Sequence, residues 1–259
     1  MDKLRLTGHI KDVDLKNKMF KVIDKANVCI KKHEILQTDF LNPYEIKNAI
    51  SILNSNSDIK YKIDGGYEES ERSVICISPY YIEDIETDIS FLKIEGNFKF
   101  KSVSHKDYLG SILGLGIKRE KIGDIIIHDN FCQVIVSSDI CDFVLFNLEK
   151  VSKNNVVVSK IQREDLIKSD LSYKEVSSTI SSDRLDCIIS SIYNLSRQES
   201  SKLIENEKVY VDYEKITQSS KVINNNSMIS VKGKGRFIIT ELGDITKKGK
   251  LKIKAKIIL

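Results

Sequence analysis

Apolar positions in the first part of the chain recur at three- and four-residue intervals. Met19, Phe20, Ile23, Ala26 and Ile30 follow that spacing, and Leu15 extends the stripe backward, which predicts an amphipathic helix. Asn42-Pro43 interrupts the pattern, and Pro43 suits the first turn of a second helix carrying Ile46, Ala49, Ile50 and Leu53. Asp64-Gly65-Gly66 and the acidic Glu68-Glu69-Ser70-Glu71 then read as a turn and linker. The reading is an N-terminal helical domain over residues 1–69.

From Ser73 to about Lys160 strand and helix patterns alternate. Strands are expected over 73–78, 91–100, 124–127, 133–136 and 155–161. Helices are expected over 104–115, opened by Ser104 and Asp107 as a capping box, and over about 138–150, burying Ile140, Phe143, Val144 and Leu148. The order strand–helix–strand–strand–helix–strand is that of a ferredoxin-like (RRM-like) middle domain, placed at 70–161. That topology licenses no function alone. Residues 162–173 are polar and weakly periodic and read as a linker.

A compact α+β pattern occupies 174–259. Leu185, Ile188, Ile189 and Ile192 make one helical face. Ser196 and Glu199 form the capping box of a second helix bearing Leu203 and Ile204. Val209/Val211 and Ile229/Val231 alternate as strands. The fold class is α+β throughout.

Charge becomes informative once it is divided. The 259 residues hold 41 basic and 37 acidic side chains, a net +4. From Asp183 onward there are 15 basic against 9 acidic, a net +6, and the preceding residues carry −2. Such asymmetry points to a polyanionic partner of the C-terminal part. Five scattered cysteines without a C-x-x-C pair fit reduced thiols, not a disulfide framework or zinc site. The start, MDKLRLTGHIKDVD, has no apolar signal region, and no apolar run approaches bilayer length, so a cytoplasmic location is expected.

Specific residues sharpen this picture. Arg184-Leu185-Asp186 opens one helix, and Leu195-Ser196-Arg197 starts the next, with Lys202-Leu203-Ile204 near its end. Lys208-Val209-Tyr210-Val211-Asp212 is a strand, and Met228 to Phe237 carries Lys232-Gly233-Lys234-Gly235-Arg236. In that order these residues resemble the S4 RNA-binding module. Glu207 stands where that module usually has glycine, Asp212-Tyr213 replaces an Asn-Gly turn, and Asn226-Ser227 replaces a Gly-Asp turn. Ser104-His105-Lys106-Asp107-Tyr108-Leu109-Gly110, the run Leu113 to Asp124, and Thr246-Lys247-Lys248-Gly249-Lys250 are similar to the YlmH family. That resemblance implies a non-enzymatic bacterial RNA-binding protein that associates with the large ribosomal subunit carrying a stalled peptidyl-tRNA. There it assists tailing and clearance of the nascent chain. The partners implied are large-subunit ribosomal RNA, tRNA and the ribosome, with a monomer expected.

The residues supply the matching chemistry. Arg184 and Arg197 can grip phosphate bidentately beside the free N–H groups of the second helix, or pair with Asp186, Glu199 or Glu205 on their own surface. Ser196, Lys202, Lys208, Lys232, Lys234, Arg236, Lys247 and Lys248 complete the expected RNA face. Lys250, Lys252, Lys254 and Lys256 alternate with apolar residues, which places four ammonium groups on one strand face. They would either follow successive phosphates or protect an edge strand from aggregation. His105, Lys118, Arg119 and Lys121 are a possible second RNA contact, although the cations there also complement a helix C-terminus.

No catalytic residue, metal ligand or cofactor is nominated. The alternative is an RNA-modifying enzyme targeted by an S4 module, of the pseudouridine synthase or methyltransferase type. Arg184-Leu185-Asp186 matches the synthases' Arg-Leu-Asp only superficially, because it begins the S4 helix itself. Docking on an anionic membrane would want an amphipathic basic helix, which the pattern lacks.

Overall fold

The computed structural model describes residues 1–98, 103–168, 172–246 and 249–258. The chain forms two compact units, Met1–Ser169 and Asp170–Leu259. The first unit opens with a short helix α1 (Lys3–Thr7) and the long α2 (Val13–Lys32). Asp12 caps α2 by accepting from the Leu15 N–H, and the stripe Leu15, Met19, Val22, Ile23, Ala26 and Cys29 is buried. A short strand β1 (Leu36–Gln37) leads to α3 (Pro43–Leu53), where Asn42 and Glu45 form a reciprocal capping box and Pro43 begins the helix.

Two strands follow, β2 (Ile59–Asp64) and β3 (Val74–Pro79), which pair antiparallel in the order β1-β3-β2. The sequence pattern assigns residues 73–78 to the middle segment, whereas their hydrogen bonds go to this N-terminal sheet. Every residue of β3 is buried, as a central strand covered on both faces requires.

The ferredoxin-like part consists of β4 (Ile89–Gly96), α4 (His105–Gly114), β5 (Ile122–Ile127), β6 (Phe131–Ser137), α5 (Ser138–Asn147), β7 (Lys150–Val151) and β8 (Asn154–Ile161). The antiparallel order β5-β6-β4-β8 is the expected one, with the two-residue β7 added at the rim. Leu92, Ile94, Cys132, Val134 and Val136 face the helices, against Tyr108, Ile112 and Val144. The expected burial of Phe143 does not hold. The inward face of α5 is Cys141 and Val144, with Leu148 just beyond, and Phe143 is half exposed.

On the opposite sheet face, Ile89, Phe91 and Ile135 pack against Phe40 and Val74 from the N-terminal part. The sheet face on which RRM modules stack bases is therefore covered here. The segment read as a turn and linker forms the fastening. Asp124 accepts from the Tyr67 hydroxyl (2.8 Å) and from the N–H groups of Glu71 (2.7 Å) and Arg72 (2.9 Å). The Arg72 guanidinium donates to the carbonyls of Phe40 and Ile122, and Arg163 donates to both carboxylate oxygens of Asp64 at 2.8 and 2.6 Å.

The second unit contains β9 (Tyr173–Ile180), α6 (Leu185–Tyr193), α7 (Arg197–Glu205), β10 (Val209–Val211), β11 (Glu214–Lys215), β12 (Met228–Val231), β13 (Gly235–Ile245) and β14 (Leu251–Ile258). All strands join one sheet, ordered β11-β10-β12-β13-β14-β9, over a core that includes Leu185, Ile188, Ile189, Ile204, Val209 and Phe237. The polar β9 escapes the apolar pattern because one of its inward positions is Ser178, whose hydroxyl is satisfied by Ser191 on α6 at 2.7 Å.

Candidate nucleic-acid interface

The α6–α7 corner gathers the expected residues. Asn194 ends α6 in the left-handed conformation, which lets the chain reverse within two residues. Ser196 then caps α7: its hydroxyl oxygen accepts from the Glu199 N–H at 3.1 Å, and Glu199 accepts from the Ser196 N–H at 2.8 Å. Arg184 precedes α6 and Arg197 begins α7, so the corner sets the two arginines side by side.

Both arginines reach one carboxylate. Arg184 donates through Nε and a terminal nitrogen to the two oxygens of Asp186, at 3.1 and 3.0 Å, and Arg197 donates to Oδ2 at 2.8 Å. The Asp186 side chain is only 4% exposed, whereas those of Arg184 and Arg197 remain 39% and 55% exposed. Burial opposes the charge on Asp186, but the two guanidinium groups hold its carboxyl below the usual carboxylate range. The pairing with Asp186 thus exists, and it orients the arginines while leaving the cluster at a net positive charge. Donor groups beyond those used remain on the solvent side.

The lysines come from the sheet. The Lys232 N–H donates to the Lys208 carbonyl at 2.8 Å, so these residues continue the β10–β12 ladder as directly opposed neighbours. Like charges facing each other on a ladder are unfavourable until an anion lies between them. Lys232-Gly233-Lys234 forms the β12–β13 turn, with Gly233 and Gly235 at φ +84 and +114. A Cβ at Gly235 would stand 3.8 Å from the Tyr193 hydroxyl, so the turn sits beside the end of α6. That hydroxyl is buried and has no hydrogen-bond partner among the described residues. Glu199 on α7 feels the charges of Lys234 and Lys202. Lys202, Lys208, Lys232 and Lys234 are in no ion pair among the described residues. Arg236 lies opposite Ser230 in the β12–β13 ladder. Lys247 and Lys248 fall outside the described residues.

The lysine row at the C-terminus does not protect a sheet edge, as one of the two expected readings had it. β14 is an interior strand between β13 and β9, not an edge. Its lysines pair across strands: Lys254 with Glu241 (2.6 Å), Lys252 with Asp244 (3.5 Å) and Lys256 with Glu175 (3.7 Å). Lys250 precedes the strand. These ion pairs join exposed side chains on the solvent face of the sheet.

In the first unit the nominated residues do not converge. His105 opens α4, and Lys118 lies beyond its other end, about 15 Å along a ten-residue helix. Arg119 donates to the carbonyls of Ile122 and Gly123. Lys121 pairs with Asp139 (2.8 Å) and Asp39 (3.3 Å), and these carboxylates raise its pKa against the opposing effect of burial. Arg119 and Lys121 hold structure together here. What the pattern of residues did not reveal is the opposition of Lys208 and Lys232, because the intervening loop hides the register.

All five cysteines are buried and free. No helix among the described residues is long and apolar enough to cross a membrane, and no group of three or more His, Cys, Asp or Glu among them is placed to hold a metal.

Comparison with known proteins agrees with the fold. Residues 83–165 match the family model described as "Putative RNA-binding domain in YlmH", and residues 15–82 match "YlmH, N-terminal". A relative from Bacillus subtilis (strain 168), "Ribosome-associated protein quality control protein P2", is 34% identical over 218 residues, 83% of this chain and 84% of the relative. The solved structure of "Cell division protein ylmH from Streptococcus pneumoniae" superposes with a TM-score of 0.52 at 21% identity, covering 61% of this chain and 96% of that one. A relative above 30% identity across most of both chains, together with two adjoining family models, leaves one conclusion: the chain belongs to the YlmH family.

Proposed function

We propose that this protein is a non-catalytic RNA-binding factor of ribosome-associated quality control. On this reading its C-terminal unit acts as an S4-type module that grips folded RNA of the large ribosomal subunit, or peptidyl-tRNA held there, and so assists nascent-chain tailing on stalled complexes. The observation that carries the proposal is the cationic corner in which Arg184 and Arg197 are fixed on buried Asp186; the same unit also sets Lys208 and Lys232 opposite each other, beyond the other end of α7. Cations held in place by a carboxylate that leaves the cluster net positive suit shape-directed recognition of phosphates. The name of the Bacillus subtilis relative supports the quality-control role, and the family model over 83–165 supports RNA contact. The first unit would add contacts through His105 and Lys118, at separate points.

The test is co-sedimentation of the purified protein with large subunits across a salt series. Affinity is expected to fall steeply between about 50 and 200 mM salt, as release of several counterions requires. A flat response, or unchanged affinity after joint substitution Arg184→Ala and Arg197→Ala, would refute the proposal.

A further inference from the structure

Three buried side-chain polar atoms make no hydrogen bond among the described residues: Ser78 Oγ, His128 Nε2 and the Tyr193 hydroxyl. The first two belong to the first unit, whereas Tyr193 is the last residue of α6 in the second. A buried hydroxyl left unpaired gives up its hydration without return, so it is a ready partner for an incoming polar group. What surrounds the ring fixes its position. It meets Phe237 edge to face, with centroids 5.6 Å apart and planes at 77°, and Phe237 is wholly buried in β13. The hydroxyl is thereby held against the turn that joins β12 and β13, where a Cβ at Gly235 would meet it at 3.8 Å. Burial pushes its pKa up to about 12, so at neutral pH it keeps a proton to donate.

The turn is a thin cover. Lys232, Gly233, Lys234 and Gly235 are all exposed, and a Cβ at Gly233 would meet nothing within 4 Å. Glycines at φ +84 and +114 bracket Lys234. Glycine changes its backbone angles at little steric cost, so a small rotation at Gly233 and Gly235 uncovers the hydroxyl. An anion drawn in by Lys232 and Lys234 then finds a neutral donor behind them. We infer that RNA binding turns the 232–235 segment aside and sets a backbone oxygen of the RNA, phosphate or ribose, on the Tyr193 hydroxyl. The inference rests on the RNA-binding reading above, and it adds one neutral, directional contact to the charged ones.

The test repeats the salt series on purified large subunits with the full chain and with Tyr193→Phe, which keeps the ring and deletes only the hydroxyl. The variant is expected to unfold in urea at an unchanged or higher midpoint, because the deleted group is unpaired in the free protein. Affinity is expected to fall about tenfold, the worth of one good hydrogen bond. The slope of log affinity against log salt is expected to match the parent, because a neutral donor releases no counterion. Lys232→Ala, in contrast, is expected to lower that slope. A stem–loop RNA and its DNA counterpart identify the acceptor. Equal losses on both point to phosphate, and a loss on RNA alone points to the ribose 2′-hydroxyl. Unchanged affinity of Tyr193→Phe, with the parent's salt response intact, overturns this inference and leaves RNA binding standing. So does a loss of affinity that comes with a lower unfolding midpoint, which makes Tyr193 a packing residue only. A flat salt response of the parent, or no effect of joint Arg184→Ala and Arg197→Ala, overturns the RNA reading itself.

Discussion

Arg197 donates to the same Oδ2 of Asp186 that already accepts from Arg184, across the corner between α6 and α7. A buried carboxylate thereby fixes two partly exposed guanidinium groups. Replacing it by Asp186→Asn raises the net charge of the unit yet frees both arginines and removes their common anchor. The expected result is weaker RNA binding despite the added positive charge, with a stability loss of about 1–2 kcal/mol in urea unfolding, below the full cost of breaking a buried pair because the arginines are partly solvated. Tighter binding by the variant would show that bulk charge, not arrangement, governs affinity.

Lys208 and Lys232 give a complementary result. Their opposition in the β10–β12 ladder is relieved by an anion, so Lys208→Ala with Lys232→Ala is expected to leave the free protein as stable as before, or slightly more so. The same pair of substitutions should weaken binding to folded RNA and lower the slope of log affinity against log salt by about one for each phosphate that is no longer neutralised. An unchanged slope would place these lysines outside the RNA interface.

The helices and their caps were legible because each carries local signals: Asn42-Pro43, Ser104 with Asp107, and Ser196 with Glu199 all open helices as expected. The ferredoxin-like succession of strands and helices was legible from alternation, and so was the position of Arg184 and Arg197 at the starts of two helices. What local pattern could not convey was long-range pairing. β3 looks like the start of the middle segment but pairs backward with β1 and β2, and β9 looks like solvated chain but pairs with β14, some 80 residues later. The lysines of β14 read as a phosphate track or a protected edge because their partners, Glu241, Asp244 and Glu175, sit on strands whose register is invisible in one dimension.

Glu207 occupies the left-handed region at φ +57, where the S4 pattern has glycine. A side chain there costs about 1 kcal/mol, and the exposed ion pair with Lys215 (3.1 Å) offsets little of it. Glu207→Gly is expected to change stability by a few tenths to about 1 kcal/mol in the favourable direction, after the greater freedom of glycine in the unfolded chain is counted. It also removes a negative charge next to Lys208, so RNA affinity should rise. A loss of stability in denaturant titration would mean that the Lys215 pair outweighs the backbone strain.

Asp64 links the first unit's two parts through Arg163, with further hydrogen bonds from the Gly66 N–H (2.8 Å) and the Thr87 hydroxyl. Burial alone would raise its pKa, but the Arg163 guanidinium and these donors prevail and lower it to about 2. A carboxyl whose folded pKa is depressed contributes its stability above the unfolded value, near 4, and loses it as the pH falls through the folded value. The window is therefore about pH 4 to 2, and the contribution at neutral pH is about 2 kcal/mol after allowance for the partial exposure of Arg163. Asp64→Asn is expected to destabilise the protein by that amount at pH 7 and to flatten the acid limb of its stability curve over the same window. Urea unfolding at a series of pH values measures both, and parallel acid limbs for the parent and the variant would show that Asp64 does not carry the linkage.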